Sequence, residues 1–229
     1  MCRLAYIPRP FDGMVDWLQR LERSCGGHGS GVAIGRAVEK GVDLGALDTA
    51  KAYWRAAARS ATKKKRIMPA LWHTRLASSG ARCDDLCHPF ECDGGWLVHN
   101  GHWGLMHAEA QKFDGGDDSD LMPMSDSRLF AAIVDQRGFR ESIERYHPPG
   151  VWLHMLYSGE LAVWKGSGDL AYNRKTGAWG SEPYEDKWNW VDVERGFYDR
   201  GQVPTAKAAP TRSRLAEEVM LWGRTCERR

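Results

Sequence analysis

Between residues 151 and 180 the chain carries four short apolar stretches, residues 151–157, 161–165, 170–173 and 178–180. Only Ser158-Gly159, residues 166–169 and residues 175–177 separate them, each a turn signal. Connections this short leave no room for a crossover helix, so the stretches are expected to fold back on one another as an antiparallel meander. The first half of the chain reads differently. Phe11, Met14, Val15, Leu18 and Leu21 recur at helical spacing and stop at Gly26-Gly27, and Leu44, Leu47, Ala50, Trp54, Ala58 and Ala61 define a second helix. Strand-like pieces lie at residues 2–7, 32–34, 67–73 and 96–99. Ser125 or Asp126 caps a third helix carrying Leu129, Phe130, Ile133 and Val134, and Leu215, Val219 and Trp222 mark a last one after a linker-like segment, residues 201–210. Helices interleaved with antiparallel strands imply an α+β layered fold.

At 229 residues, with 42% hydrophobic and 27% charged side chains, the chain suits one buried domain. A net charge of +2 supplies no global field that would draw nucleic acid or a membrane surface. No apolar run approaches the ~20 residues that span a bilayer, and the opening ten residues lack the apolar core of a secretory signal, so a cytoplasmic protein is expected. The six cysteines, Cys2, Cys25, Cys83, Cys87, Cys92 and Cys226, are then read as reduced thiols. The glycine-rich segment 26–31 lacks the Gly-Lys-Ser/Thr ending of a P-loop and reads as a turn more readily than as a phosphate cradle. The basic run from Lys63 to Arg66 suits a solvated helix C-terminus.

Two ligand-like clusters carry weaker signals. Cys83, Cys87, His88 and Cys92 invite a zinc reading, but their spacing lacks the paired C-x2-C knuckles. His99, His102 and His107 lie on a strand and its following turn, where they point different ways, so no metal is expected at either place. Trp152, Trp164, Trp179, Trp188 and Trp190 could form a stacking platform, although packing of short strands explains them more simply.

Met1-Cys2 opens a chemical possibility. Removal of the methionine would leave a thiol and a free α-amine on one residue, a nucleophile with its base attached. Four other stretches give this weight: His73-Thr74-Arg75 with the small-residue loop to Gly80, His88-Pro89-Phe90, His99-Asn100-Gly101, and Ser125-Asp126-Ser127. In this order, behind Met1-Cys2-Arg3, they resemble the glutaminase domain of class II glutamine amidotransferases, members of the N-terminal nucleophile hydrolases. The resemblance extends through Gly168-Asp169-Leu170 and Ser181-Glu182-Pro183 to Trp188 or Trp190.

The resemblance implies a four-layer αββα sandwich, two antiparallel sheets flanked by helices. The glutaminase domain would occupy residues 1–200, with residues 201–229 a linker and helix packed on it. Cys2 would be the nucleophile, and Asn100 and Gly101 the oxyanion donors. Arg75 would hold the α-carboxylate of glutamine and Asp126 its α-amine. Residues 76–80, including Leu76, Ser78 and Gly80, would form the loop that covers the substrate. Leu76 and Ser79 depart from the family pattern, which often has an aromatic residue and His there. The implied activity is release of ammonia from glutamine through a Cys2 γ-glutamyl thioester, with no cofactor, and with the ammonia released or passed to a separate synthase. Two alternatives stay open: hydrolysis of another γ-glutamyl amide, or a catalytically idle binding subunit.

Overall fold

A computed structural model describes residues 2–25, 27–63, 65–78, 81–104, 125–183 and 189–204. The strands form two sheets. In the first the order is β11 (Trp190–Asp192), β9 (Ala171–Asn173), β10 (Trp179–Gly180), β1 (Arg3–Ile7), β4 (Ala70–Thr74), β2 (Ser30–Ile34) and β3 (Ala37–Gly41). In the second it is β12 (Gly196–Tyr198), β8 (Leu161–Lys165), β7 (Val151–Leu156), β6 (Gly95–Asn100) and β5 (Phe90–Cys92). Every pairing is antiparallel.

Side chains of a strand alternate between its two faces, and here both faces are covered. Along β1, Ala5 and Ile7 point to α1 (Met14–Cys25) and α2 (Ala46–Thr62), where Trp17, Leu18, Leu21 and Tyr53 close over them. Leu4 and Tyr6 point the other way, into an apolar layer shared with Leu71 of β4 and with Trp96, Val98, Leu153 and Val163 of the second sheet. On that sheet's far side Leu97 and Trp152 pack under α3 (Asp126–Arg137) and α4 (Phe139–Tyr146), through Leu129, Phe130, Ile133 and Ile143. The result is the expected helix, sheet, sheet, helix order. Burial of each such side chain contributes about 1.5–3 kcal/mol, which is why the sandwich needs both outer helix pairs.

Local chemistry sets the element ends. Ser125 accepts the Arg128 N–H at 3.2 Å and so starts α3. Gly138, at φ +83°, ends it and turns the chain into α4. The N-terminus of α2 follows Gly45, which has no side chain to cap with; instead Glu22 of α1 accepts the Ala46 N–H at 2.8 Å.

The meander is split. β7 and β8 pair in the second sheet, whereas β9 and β10 cross to the first, because Leu170, Ala171 and Ala178 fill apolar layers beside β1. Sequence periodicity also misses β3, β5, β11, β12 and α4. Of these, β3 is an exposed edge carrying Glu39 and Lys40, and β5, β11 and β12 are three residues each. The helix expected around Leu215 to Trp222 lies outside the described residues. Among the described residues no helix is long and apolar enough to cross a membrane.

Candidate active site

β1 lies in the middle of the first sheet, and its register with β4 opposes Arg3 to Thr74. That register carries the chain ends at Cys2 and Arg75 to the same edge of the sandwich. The half-buried Cys2 Sγ accepts the Leu76 N–H at 3.3 Å and lies 3.5 Å from the Leu76 carbonyl. Burial pushes its pKa up to about 11 against the pull of the Leu76 N–H, so the thiol is protonated at neutral pH. Arg3 anchors the segment: its guanidinium donates to the Cys2 carbonyl at 3.3 Å and to Ser24 at 2.9 Å, and pairs with Glu182.

The glycine-rich segment braces the strand end that carries Arg75. Arg75 N–H donates to the Gly29 carbonyl at 2.8 Å, His28 N–H donates to the Arg75 carbonyl at 2.6 Å, and Ala77 N–H donates to His28 Nδ1 at 3.0 Å. Gly29 sits at φ +119°, and a Cβ there would come within 2.7 Å of Cys87 Sγ and of the Gly41 carbonyl. Glycine is therefore required on two counts. The Arg75 side chain is buried, and it donates to the Ala81 carbonyl at 2.7 Å. Leu76 is half-buried and Ser78 exposed; Ser79 and Gly80 lie outside the described residues.

Asn100 ends β6 in the second sheet and is buried. Its Nδ2 donates to Ser181 Oγ at 3.3 Å, and Leu4 N–H donates to the same oxygen at 3.0 Å. Through Ser181 the carboxamide is tied to β1, the strand that directly follows Cys2. Gly101 follows. A Cβ at Gly101 would lie 2.6 Å from His99 Nε2 and 2.9 Å from the Gly150 Cα, so packing of this turn already demands glycine before any substrate is considered.

Asp126 opens α3, and both carboxylate oxygens are held. Trp103 N–H donates to Oδ2 at 2.8 Å; Ser127 N–H and Oγ–H donate to Oδ1 at 2.8 and 3.2 Å. His99 Nδ1 lies 2.9 Å from Ser127 Oγ, and its ring stacks on Trp152 at 3.7 Å, so His99 links β6 to α3 beneath the site. Burial drives the pKa of His99 down to about 4, and Asp126 opposes the shift. The buried His73, whose Nε2 meets the His99 carbonyl at 2.9 Å, is driven down to about 3, and burial depresses His88, whose ring is tilted against that of His73 with centroids 4.0 Å apart, well below the usual range. All three are neutral at pH 7.

Cys2, the Arg75–Leu76 segment and Asn100 thus gather at one end of the sandwich, with Asp126 bonded to the turn that follows Asn100-Gly101. Cys83, Cys87 and Cys92 do not converge: Cys87 packs beneath Gly29, and Cys92 is in the β5 strand. Among the described residues no group of three or more His, Cys, Asp or Glu side chains is placed to hold a metal ion; His107 is outside them. Trp152, Trp164, Trp179 and Trp190 are core residues, and Trp188 is not among those described. Sequence reasoning overlooked His28, Ser127 and Ser181 as site residues. Ser127 and Ser181 stand in motifs that the resemblance flagged, but nothing in their spacing shows which atoms they touch.

No family model and no curated protein matches the chain. Solved structures do. A structure described as the allosteric regulatory enzyme of purine biosynthesis superposes with a TM-score of 0.59 over 87% of this chain, at 16% identity, and 47% of that chain is covered. The glutamine phosphoribosylpyrophosphate amidotransferase from B. subtilis, complexed with ADP and GMP, gives 0.50 over 79% of this chain, at 15% identity, with 41% of that chain covered. The chain therefore spans about half the length of these proteins or less. At such identities the likeness is one of architecture: the chain shares with these proteins its sandwich of two antiparallel sheets between helices.

Proposed function

We propose that this chain is a glutaminase-type amidohydrolase of the class II glutamine amidotransferase kind, with Cys2 as its nucleophile. Hydrolysis of a primary amide needs a nucleophile, a proton shuttle, donors for a tetrahedral oxyanion and a grip on the rest of the substrate. Removal of Met1 turns the Cys2 nitrogen into an α-amine, whose ordinary pKa of about 8 suits it to take the thiol proton. Sulfur attacks the γ-carbonyl carbon, and the oxyanion accepts hydrogen bonds from Asn100 Nδ2 and the Gly101 N–H. Collapse breaks the C–N bond, the α-ammonium returns the proton to the leaving nitrogen, and ammonia departs. Water then cleaves the γ-glutamyl thioester to glutamate and restores the thiol. Arg75 pairs with the α-carboxylate and Asp126 with the α-ammonium of the substrate.

One observation carries this reading: the Cys2 thiol and the Asn100 carboxamide, from different sheets, are fastened to the same strand end, Asn100 through Ser181 and Leu4. A thiol with its pKa raised to about 11 also needs an adjacent base, which the freed α-amine supplies. Ammonia is available to a separate acceptor, but the hydrolysis does not require one. The test is ammonia release from glutamine, set beside a panel of γ-glutamyl amides, by the wild-type protein and by Cys2→Ala. Cys2-dependent release with glutamine preferred supports the proposal, and release by Cys2→Ala at the wild-type rate contradicts it.

A further inference from the structure

Ser181 directly follows β10, which pairs with β1 so that Gly180 opposes Ala5. Its backbone N–H donates to the Leu4 carbonyl at 3.1 Å, and the residue is almost fully buried. A serine hydroxyl has one proton and two lone pairs. Leu4 N–H fills one lone pair at 3.0 Å, and the hydroxyl proton turns toward the Leu4 carbonyl at 3.5 Å. The lone pair that remains receives Asn100 Nδ2 at 3.3 Å.

Ser181 therefore offers Asn100 an acceptor and no donor. The NH2 end of the carboxamide is held, while Oδ1 is buried with no hydrogen-bond partner. A carboxamide turned over by half a rotation would present oxygen where nitrogen now stands, and an acceptor repels a developing oxyanion. From this geometry we infer that Ser181 is a positioning residue: it fixes the orientation of the Asn100 carboxamide, and so decides that a donor faces the reacting carbonyl. The inference rests on the glutaminase reading, and it adds a residue that touches neither substrate nor nucleophile.

A double-mutant cycle with Asn100 tests it, because a residue that acts through Asn100 has no effect once the carboxamide is gone. Steady-state glutamine hydrolysis is measured for wild type, Ser181→Ala, Asn100→Ala and the double variant, all freed of Met1. Ser181→Ala is expected to lower kcat about tenfold or more with KM within about twofold, and to add no loss in the Asn100→Ala background. A kcat within about twofold of wild type, or the same fold loss in both backgrounds, overturns the positioning role. If alanine prevents folding by orphaning the Leu4 N–H, Ser181→Cys keeps a side-chain atom at the γ position, slightly larger, that accepts poorly, and the same outcomes apply to it. An inactive wild type overturns the glutaminase reading and this role with it; an active wild type indifferent to position 181 overturns this role alone.

Discussion

The sulfur of Cys2 is a poor nucleophile in a chain that keeps Met1. Its pKa is raised to about 11 by burial, and the neighbouring nitrogen is then a peptide amide with no basicity. Alkylation of Cys2 by iodoacetamide in a Met1-bearing chain is therefore expected to rise with pH through an apparent pKa near 11, read from the mass of the N-terminal peptide. An apparent value near the ordinary ~8.5 contradicts the burial argument. In the proposed function Asp126 pairs with the substrate's α-ammonium. Its carboxylate is already oriented by Trp103 and Ser127, so Asp126→Ala removes a prepared charge. KM for glutamine should rise roughly tenfold or more while kcat changes less, since a hydrogen bond to a charged group is worth about 1.5–3 kcal/mol. An unchanged KM rules out that role.

Among the elements, the glycine-rich turn before β2 has the most specific structural job. It carries no phosphate-loop signature; it holds Arg75 and Ala77 in place through Gly29 and His28. Gly29→Ala meets both a left-handed φ and a collision with Cys87 and Gly41, so a stability loss of about 2 kcal/mol or more is expected in urea unfolding. Activity should weaken as well, because the Arg75 backbone bonds to Gly29; a variant as stable as wild type refutes the packing claim. The elements that were legible in the sequence are α1, α2 and α3, buried through a helical period, and the apolar strands β1, β2, β4, β6, β7, β8, β9 and β10, set off by turn residues. β3 escaped because an edge strand needs no apolar alternation. α4 escaped as an eight-residue helix behind Gly138, although Phe139, Ile143 and Tyr146 keep helical spacing. In the site, Cys2, Arg75, Asn100 and Asp126 were legible as chemical types within short motifs. Ser181 was not, because its meaning comes from Leu4, 177 positions away, and Asn100, 81 positions away.

For the molecule as a whole, the sandwich buries neutral imidazoles in its interior. His73, His88 and His99 all have folded-state pKa values below the ordinary 6.5, mainly through burial. The unfolded chain therefore binds more protons below pH 6.5, and the stability these groups contribute is present above that pH and lost as pH falls through the folded values, about 4 for His99 and about 3 for His73. Each such group forfeits about 1.5 kcal/mol between pH 6.5 and 5. Urea midpoints measured from pH 7.5 to 5 should be flat at the top of the range and fall steadily below about 6.5, and a constant midpoint down to pH 5 contradicts the neutral assignment.

The proposed function gathers these features around one terminal thiol that attacks a γ-glutamyl amide. Intact mass spectrometry before and after treatment with a diazoketone analogue of glutamine tests that claim most directly. A protein lacking Met1 is expected to gain one label, on Cys2, with glutamine slowing the labelling and ammonia release ending as labelling completes. A protein that hydrolyses glutamine while retaining Met1 in full, or that loses activity with the label on another residue, contradicts it.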